Sequence, residues 1–310
     1  MTDTLAPVSR RRIPRGLFGA LVAFLLVPFP ALCLAGPLAG CLILARPRGL
    51  REWSWLLAAL TAAALSFGMA RSVAQEIVLA YGVAFTGAFL ALRTWRPGPV
   101  VAPAAVAAID TAALIGIGAW AFGFEWAGIR ATLEAQFQDA LTLVISGSPL
   151  PAAQLDQMRE TMRTMASVYP GIAILGAIAG ATLGSALAWY ISDGRSGTEP
   201  RRFTDFRFND HLIWGAILTL ALLLLPFPAP LGEFIANALV VWAGLYVARG
   251  AAVVGFLGGR WPVPLRISLA LVALLLLPYA LGGLLLLGVA DTWLDFRRVE
   301  TPPTQGAVHD

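Results

Sequence analysis

Between Phe206 and Arg298 the chain is a succession of apolar stretches, broken at Pro226-Phe227-Pro228, at Arg260-Trp261-Pro262 and at Pro278. A soluble domain of ordinary size does not hold Leu, Val and Ala at that density with so few charges, so these stretches belong in lipid. Glu233, Asn237, Tyr246 and Arg249 remain inside them. A polar group in hydrocarbon is costly, so each of the four needs a partner, a wet cavity or a function.

The rest of the chain extends the same constraint. Of 310 residues, 58% are hydrophobic and 13% charged, about half the charge fraction of a soluble domain. All 22 cationic side chains are Arg, and their excess over acids is only +4. In such a chain that excess bears on membrane topology and not on a nucleic-acid partner. Cys33 and Cys41 share one apolar stretch and offer no disulfide or metal framework. There is no Gly-rich phosphate loop, no acid pair at metal spacing, and neither His211 nor His309 lies in an apolar run. No cofactor and no enzymatic chemistry are expected. One integral membrane domain over 16–298 is expected, between a basic tail, 1–15, and a disordered tail, 299–310.

Residues 16–45 are too many for one span of about 20 residues. Pro28 and Pro30 divide them, which predicts two short helices folded as a hairpin or re-entrant pair. Gly16, Gly19, Ala20 and Ala23 put small residues on one face of the first, a spacing that lets helices approach closely. Leu38-Ala-Gly-Cys41 spells a lipoprotein cleavage box, yet the long apolar stretch and the following Arg46, Arg48 and Arg51 predict an uncleaved span. Further spans are expected at Trp53–Ala70, Ile77–Leu92, Val100–Phe122, Gly171–Ile191, Leu212–Leu225 and Phe234–Leu257. Leu265–Val289 is one kinked helix or two short ones, because Pro278 interrupts it.

Trp126–Ile145 and Pro151–Tyr169 differ. Trp126, Ile129, Leu133, Phe137, Leu141 and Val144 recur at helical steps, with Arg130 and Glu134 positioned to pair. Leu155, Met158, Met162 and Met165 form a second stripe, opposite Asp156, Arg159, Glu160 and Arg163. Charges this dense predict a non-spanning hairpin over 124–167, lying on the membrane surface or covering the bundle. It is either a plain surface hairpin or a lid over a cavity.

Arginine placement orients the chain. Six segments, 1–15, 46–52, 93–99, 193–208, 260–266 and 297–310, hold seventeen Arg, and the opposite side holds four. That bias predicts both termini in the cytoplasm and the hairpin outside. The fold class follows: an all-α polytopic transmembrane bundle of about 8–10 membrane segments with an extracytoplasmic amphipathic hairpin.

Five residues are candidates for a substrate site: Asp110, Glu233, Asn237, Tyr246 and Arg249. Asp110 lies ten residues into its run, too deep and too short to reach water, so it is expected to face the protein interior. Glu233 and Asn237 are four apart and share a helix face, so they can line one cavity. Arg249 is near enough to the expected cytoplasmic face to snorkel there.

Phe206-Arg207, the run Asn237-Ala-Leu-Val-Val-Trp-Ala-Gly-Leu-Tyr246 leading to Gly250-Ala-Ala-Val-Val, and the closing Val289-Ala-Asp-Thr-Trp-Leu-Asp-Phe-Arg-Arg298 together resemble the YybS-like family of uncharacterised bacterial membrane proteins. The resemblance implies a build similar to the substrate-binding membrane subunits of energy-coupling-factor transporters. The expected function is therefore a transport-related component of the bacterial inner membrane. It would bind a small molecule and act with transporter or envelope partner subunits in the lipid bilayer, with no nucleic acid. The alternative is an envelope scaffold.

Overall fold

The computed structural model describes residues 13–26, 31–68, 73–96, 98–123, 126–145, 151–197 and 199–297. Among the described residues there are eleven α-helices and no strand. They are α1 (Arg15–Leu26), α2 (Leu32–Leu44), α3 (Leu50–Gly68), α4 (Val73–Trp95), α5 (Val101–Ala121), α6 (Trp126–Ile145), α7 (Ala152–Ile191), α8 (Ile213–Leu223), α9 (Ala229–Leu257), α10 (Val263–Leu275) and α11 (Leu277–Leu294). Five helices contain segments long and apolar enough to cross a membrane: Gln75–Trp95, Val101–Ala121, Ala153–Ile191, Leu231–Leu257 and Leu277–Leu294. Shorter apolar helices accompany them.

The chain forms two compact units. The first comprises Met1–Pro200 with Leu225–Val241, and the second Arg201–Leu224 with Trp242–Asp310. In the first, α7 is the axis and packs most extensively on α2, then on α5 and α6. Gly176, Gly180, Gly184 and Ala188 stand four apart along α7. Gly180 and Gly184 meet the α2 backbone at Cys33 and Leu34, and a Cβ at Gly184 would lie 2.9 Å from the Leu34 carbonyl oxygen. Small residues are what such an approach demands. The spacing singled out on α1 does no such work: Gly16 and Gly19 face open space, and α1 packs on α7 instead of pairing with α2.

Around this axis Cys33, Leu42, Phe85, Phe89, Ala177 and Ala181 are buried together. Elsewhere α4 and α5 turn most of their apolar surface outward, with Leu114, Ile117 and Trp120 exposed on α5. Apolar faces on that scale are foreign to a soluble monomer and require lipid or another apolar surface against them.

The amphipathic insert departs from expectation. α6 has the predicted bounds and packs on α7 through Leu133 and Ala166, with Ile129, Phe137 and Tyr169 beside them. The expected second helix, however, does not stop at Tyr169. It is the first half of α7, which runs 40 residues through Pro170. At 1.5 Å per residue, α7 is about 60 Å long, roughly twice the hydrocarbon thickness. The linker between α6 and α7 lies outside the described residues.

The second unit contains α8, the latter part of α9, α10, α11 and two 3-10 turns, Phe203–Asp205 and Asp210–Leu212. A single residue, Leu276, separates α10 from α11. Pro278 has no N–H to give and crowds the preceding turn, which accounts for the break.

Candidate functional site

The five candidates fall in three places. Glu233 and Asn237 come together in the first unit. Tyr246 and Arg249 come together in the second. Asp110 joins neither.

Asn237 does its work at Pro170. A proline inside a helix removes one backbone bond and loosens its neighbours. Here the neighbouring pair is the Gly171 N–H and the Ser167 carbonyl. Gly171 N–H donates to Asn237 Oδ1 at 2.7 Å, and Asn237 Nδ2 donates to the Ser167 carbonyl at 2.9 Å. One carboxamide thus serves both groups, since it carries a donor and an acceptor side by side. This lets the helix pass through a residue that ordinarily ends one. One turn earlier, Trp126 Nε1 donates to Glu233 Oε2 at 2.6 Å, and Arg130 pairs with the other carboxylate oxygen. Arg130 also reaches Glu134 at 3.5 Å, as its spacing predicts. The shared face of Glu233 and Asn237 therefore holds α6 and α7. A shallow apolar groove of about 470 Å³ lies elsewhere, lined by Phe67, Glu76, Leu79, Ala80, Val83 and Ala84.

Asp110 overturns its expected placement. The packed face of α5 is made by Ala104, Ala107, Ala108 and Thr111, and Asp110 lies off it, exposed. It makes no hydrogen bond or ion pair among the described residues.

A further polar cluster closes one end of the first unit. Arg195, just past α7, donates to the carbonyls of Ala45 and Arg46 at 2.9 and 3.0 Å and pairs with Glu52. Glu52 precedes the apolar run that begins at Trp53 and also accepts from the Arg48 N–H at 2.9 Å. Burial pushes its carboxyl up, but the Arg195 guanidinium and the Arg48 N–H outweigh it and hold the group below its ordinary range.

The second unit contains the deepest charges. Gly250 and Gly288 bring α9 and α11 backbone to backbone: a Cβ on Gly250 would collide with the Leu284 carbonyl, and one on Gly288 with that of Tyr246. That crossing sets Arg249 beside Asp291. Arg249 Nε donates to Asp291 Oδ2 at 2.8 Å, and Nη2 to the Asp291 backbone carbonyl at 3.1 Å. Arg297 Nη2 donates to the same Oδ2 at 2.6 Å. The Arg249 and Asp291 side chains are 2% and 0% exposed. Arg249 Nη1 reaches outward to Asp210 at 2.7 Å, whose side chain is 61% exposed. Arg249 does not snorkel; it is paired internally.

The segment carrying Asp210 is tied down at several further points. Arg297 Nη1 donates to the Thr204 and Phe206 carbonyls, both at 2.9 Å. Arg207 pairs with Asp295. The Phe208 ring lies 5.4 Å from the Arg249 guanidinium carbon and packs edge-on to Tyr246. Four buried polar atoms in this cluster have no hydrogen-bond partner: Tyr246 Oη, Asp291 Oδ1, Thr292 Oγ1 and Arg297 Nε. Asp291, Arg297, Asp210 and Phe208 are not among the sequence candidates. The signal available for Asp291 was the requirement that deep Arg249 have a counter-charge.

Apolar helices with lipid-facing exteriors and charges paired within them define a polytopic helical membrane protein, which lives in a lipid bilayer. The chain belongs to the predicted membrane protein family DUF2232, matched over residues 18–292. That match takes in both units and every residue of the networks described here except Asp295 and Arg297. Comparison with curated proteins and with solved structures gives no match.

Proposed function

We propose that this chain is a transport-related component of a bacterial inner membrane that does no chemistry of its own and works with partner subunits. The observation that carries this reading is Asp110: a carboxylate about halfway along an apolar helix, exposed, with no partner in its own unit among the described residues. Carboxylates at that depth face a protein interior or a wet path because hydrocarbon does not tolerate them. A second polypeptide against α5, with a donor at matching depth, meets that need. The resemblance to the YybS-like family, and through it to energy-coupling-factor substrate-binding subunits, favours the same reading by analogy. The arginine distribution supports termini in the cytoplasm and the α6 region outside.

The test is photocrosslinking in native membranes from Ile109 and Leu114, which flank Asp110 on exposed positions of α5. The reading expects a discrete protein adduct that is lost in Asp110→Leu. Crosslinks to lipid alone, unchanged in the variant, would overturn it. The envelope-scaffold reading is favoured by one observation, that Glu233 and Asn237 are fully used in holding α6 and α7. It expects Asp110→Leu to disrupt a complex without affecting uptake of any solute.

A further inference from the structure

The buried charges of the second unit do not balance without an exposed residue. Arg249 and Arg297 share one buried carboxylate, that of Asp291. Two guanidiniums on one carboxylate leave one positive charge over. Asp210 takes it, and Asp210 is the member of the cluster most open to water. A buried guanidinium without a counter-charge is costly, so something anionic must sit on Arg249 Nη1.

Four buried polar atoms of the cluster are unused. The Tyr246 and Thr292 hydroxyls, which can donate or accept, Arg297 Nε–H, which only donates, and Asp291 Oδ1, which only accepts, are buried without a partner. The Tyr246 and Thr292 hydroxyls neighbour one another. Buried polar atoms are ordinarily satisfied, so a group of this kind marks a place built for water or for a ligand. Phe208 and Tyr246 add an aromatic wall beside the guanidinium. A buried guanidinium whose outward N–H is held only by an exposed carboxylate, beside aromatic faces and unused hydroxyls, offers the chemistry that recognises an organic carboxylate. A cation is disfavoured here, because both guanidiniums point at the same carboxylate.

We propose that Arg249, with Arg297, Tyr246 and Thr292, forms a binding site for a small organic carboxylate, and that Asp210 occupies its carboxylate position as an internal surrogate. Ligand entry exchanges Asp210 for the incoming carboxylate on Arg249 Nη1. The segment Phe203–Asp210, tied through Arg297 to the Thr204 and Phe206 carbonyls, is the element that yields. This rests on the transport-related reading and names the ligand class it would take.

The experiment uses the full chain in lipid nanodiscs, with benzoate as probe and its neutral isostere benzamide as control, at fixed ionic strength. Unfolding temperature is followed by intrinsic Trp fluorescence. The wild type should respond weakly to benzoate because Asp210 competes. Asp210→Asn, which removes the exposed surrogate and leaves the Arg249–Asp291–Arg297 contacts in place, should bind benzoate about tenfold more tightly, the scale of one charge-assisted hydrogen bond. Arg249→Gln should abolish the response. An equal response of Asp210→Asn and wild type, or an equal response to benzamide, overturns the proposal. Asp210→Asn alone decides the matter should Arg249→Gln fail to fold. If benzoate fails while the Asp110-dependent protein adduct persists, the ligand site is lost and the partner reading stands.

Discussion

Replacing Asn237 with Ala should show what carries α7 through Pro170. The substitution removes the acceptor for Gly171 N–H and the donor to the Ser167 carbonyl. The third bond, to the Glu233 carbonyl at 2.8 Å, stays within α9 and adds little, since a helix already satisfies that carbonyl. Hydrogen bonds inside membrane proteins average about 0.6 kcal/mol in measured cycles, and each backbone group left buried without a partner costs about 1–3 kcal/mol. Two such groups set the expected destabilisation at about 2–6 kcal/mol. The decisive comparison is made in a Pro170→Ala background. Alanine restores the missing N–H, so the helix closes its own bonds and Asn237 becomes largely redundant. Unfolding in graded SDS should therefore give a coupling of about 2–3 kcal/mol between the two sites. An Asn237→Ala cost that is the same in the wild type and in the Pro170→Ala background would refute the reasoning.

Gly288→Ala should destabilise the second unit by about 1–3 kcal/mol or more, because its Cβ meets the Tyr246 carbonyl. Reduced accumulation in membranes checks this, and normal accumulation counts against the crossing. Glu52 has a folded pKa below its unfolded one, so its contribution is complete above the ordinary Glu value of about 4.3 and is lost as pH falls through the lower folded value. The unfolding temperature of the wild type should drop more than that of Glu52→Gln between about pH 6 and pH 3; parallel curves would contradict the pairing with Arg195. Cysteines introduced at Gln138 and Pro200 should react with an impermeant reagent from outside and inside respectively, and the reverse pattern would invert the proposed topology.

The spans were legible because most of the apolar runs end at Pro, Gly or Arg, and α4, α5, α8 and α9 fall within a few residues of the expected bounds. The length of α7 was not. Tyr169-Pro170-Gly171 has the local chemistry of a helix stop, and what overrides it is Asn237, far away in sequence. Pattern reading captures local signals and misses a repair made by another helix. The need for partners at Glu233, Asn237 and Arg249 was readable from depth alone. Their identities were not, since Arg130, Ser167 and Asp291 are brought to them by tertiary packing. Asp110 failed for a different reason. α5 is rich in Ala and apolar around its circumference, so nothing in its periodicity marks which side packs, and depth along the run does not fix burial.

Asp110 also bears the weight of the functional account, and native mass spectrometry of the chain extracted with its surrounding lipid tests it most directly. The account predicts a complex of this chain with at least one other polypeptide, lost when Asp110 is replaced by Leu while the chain itself remains inserted. The chain by itself, with and without Asp110, would contradict it.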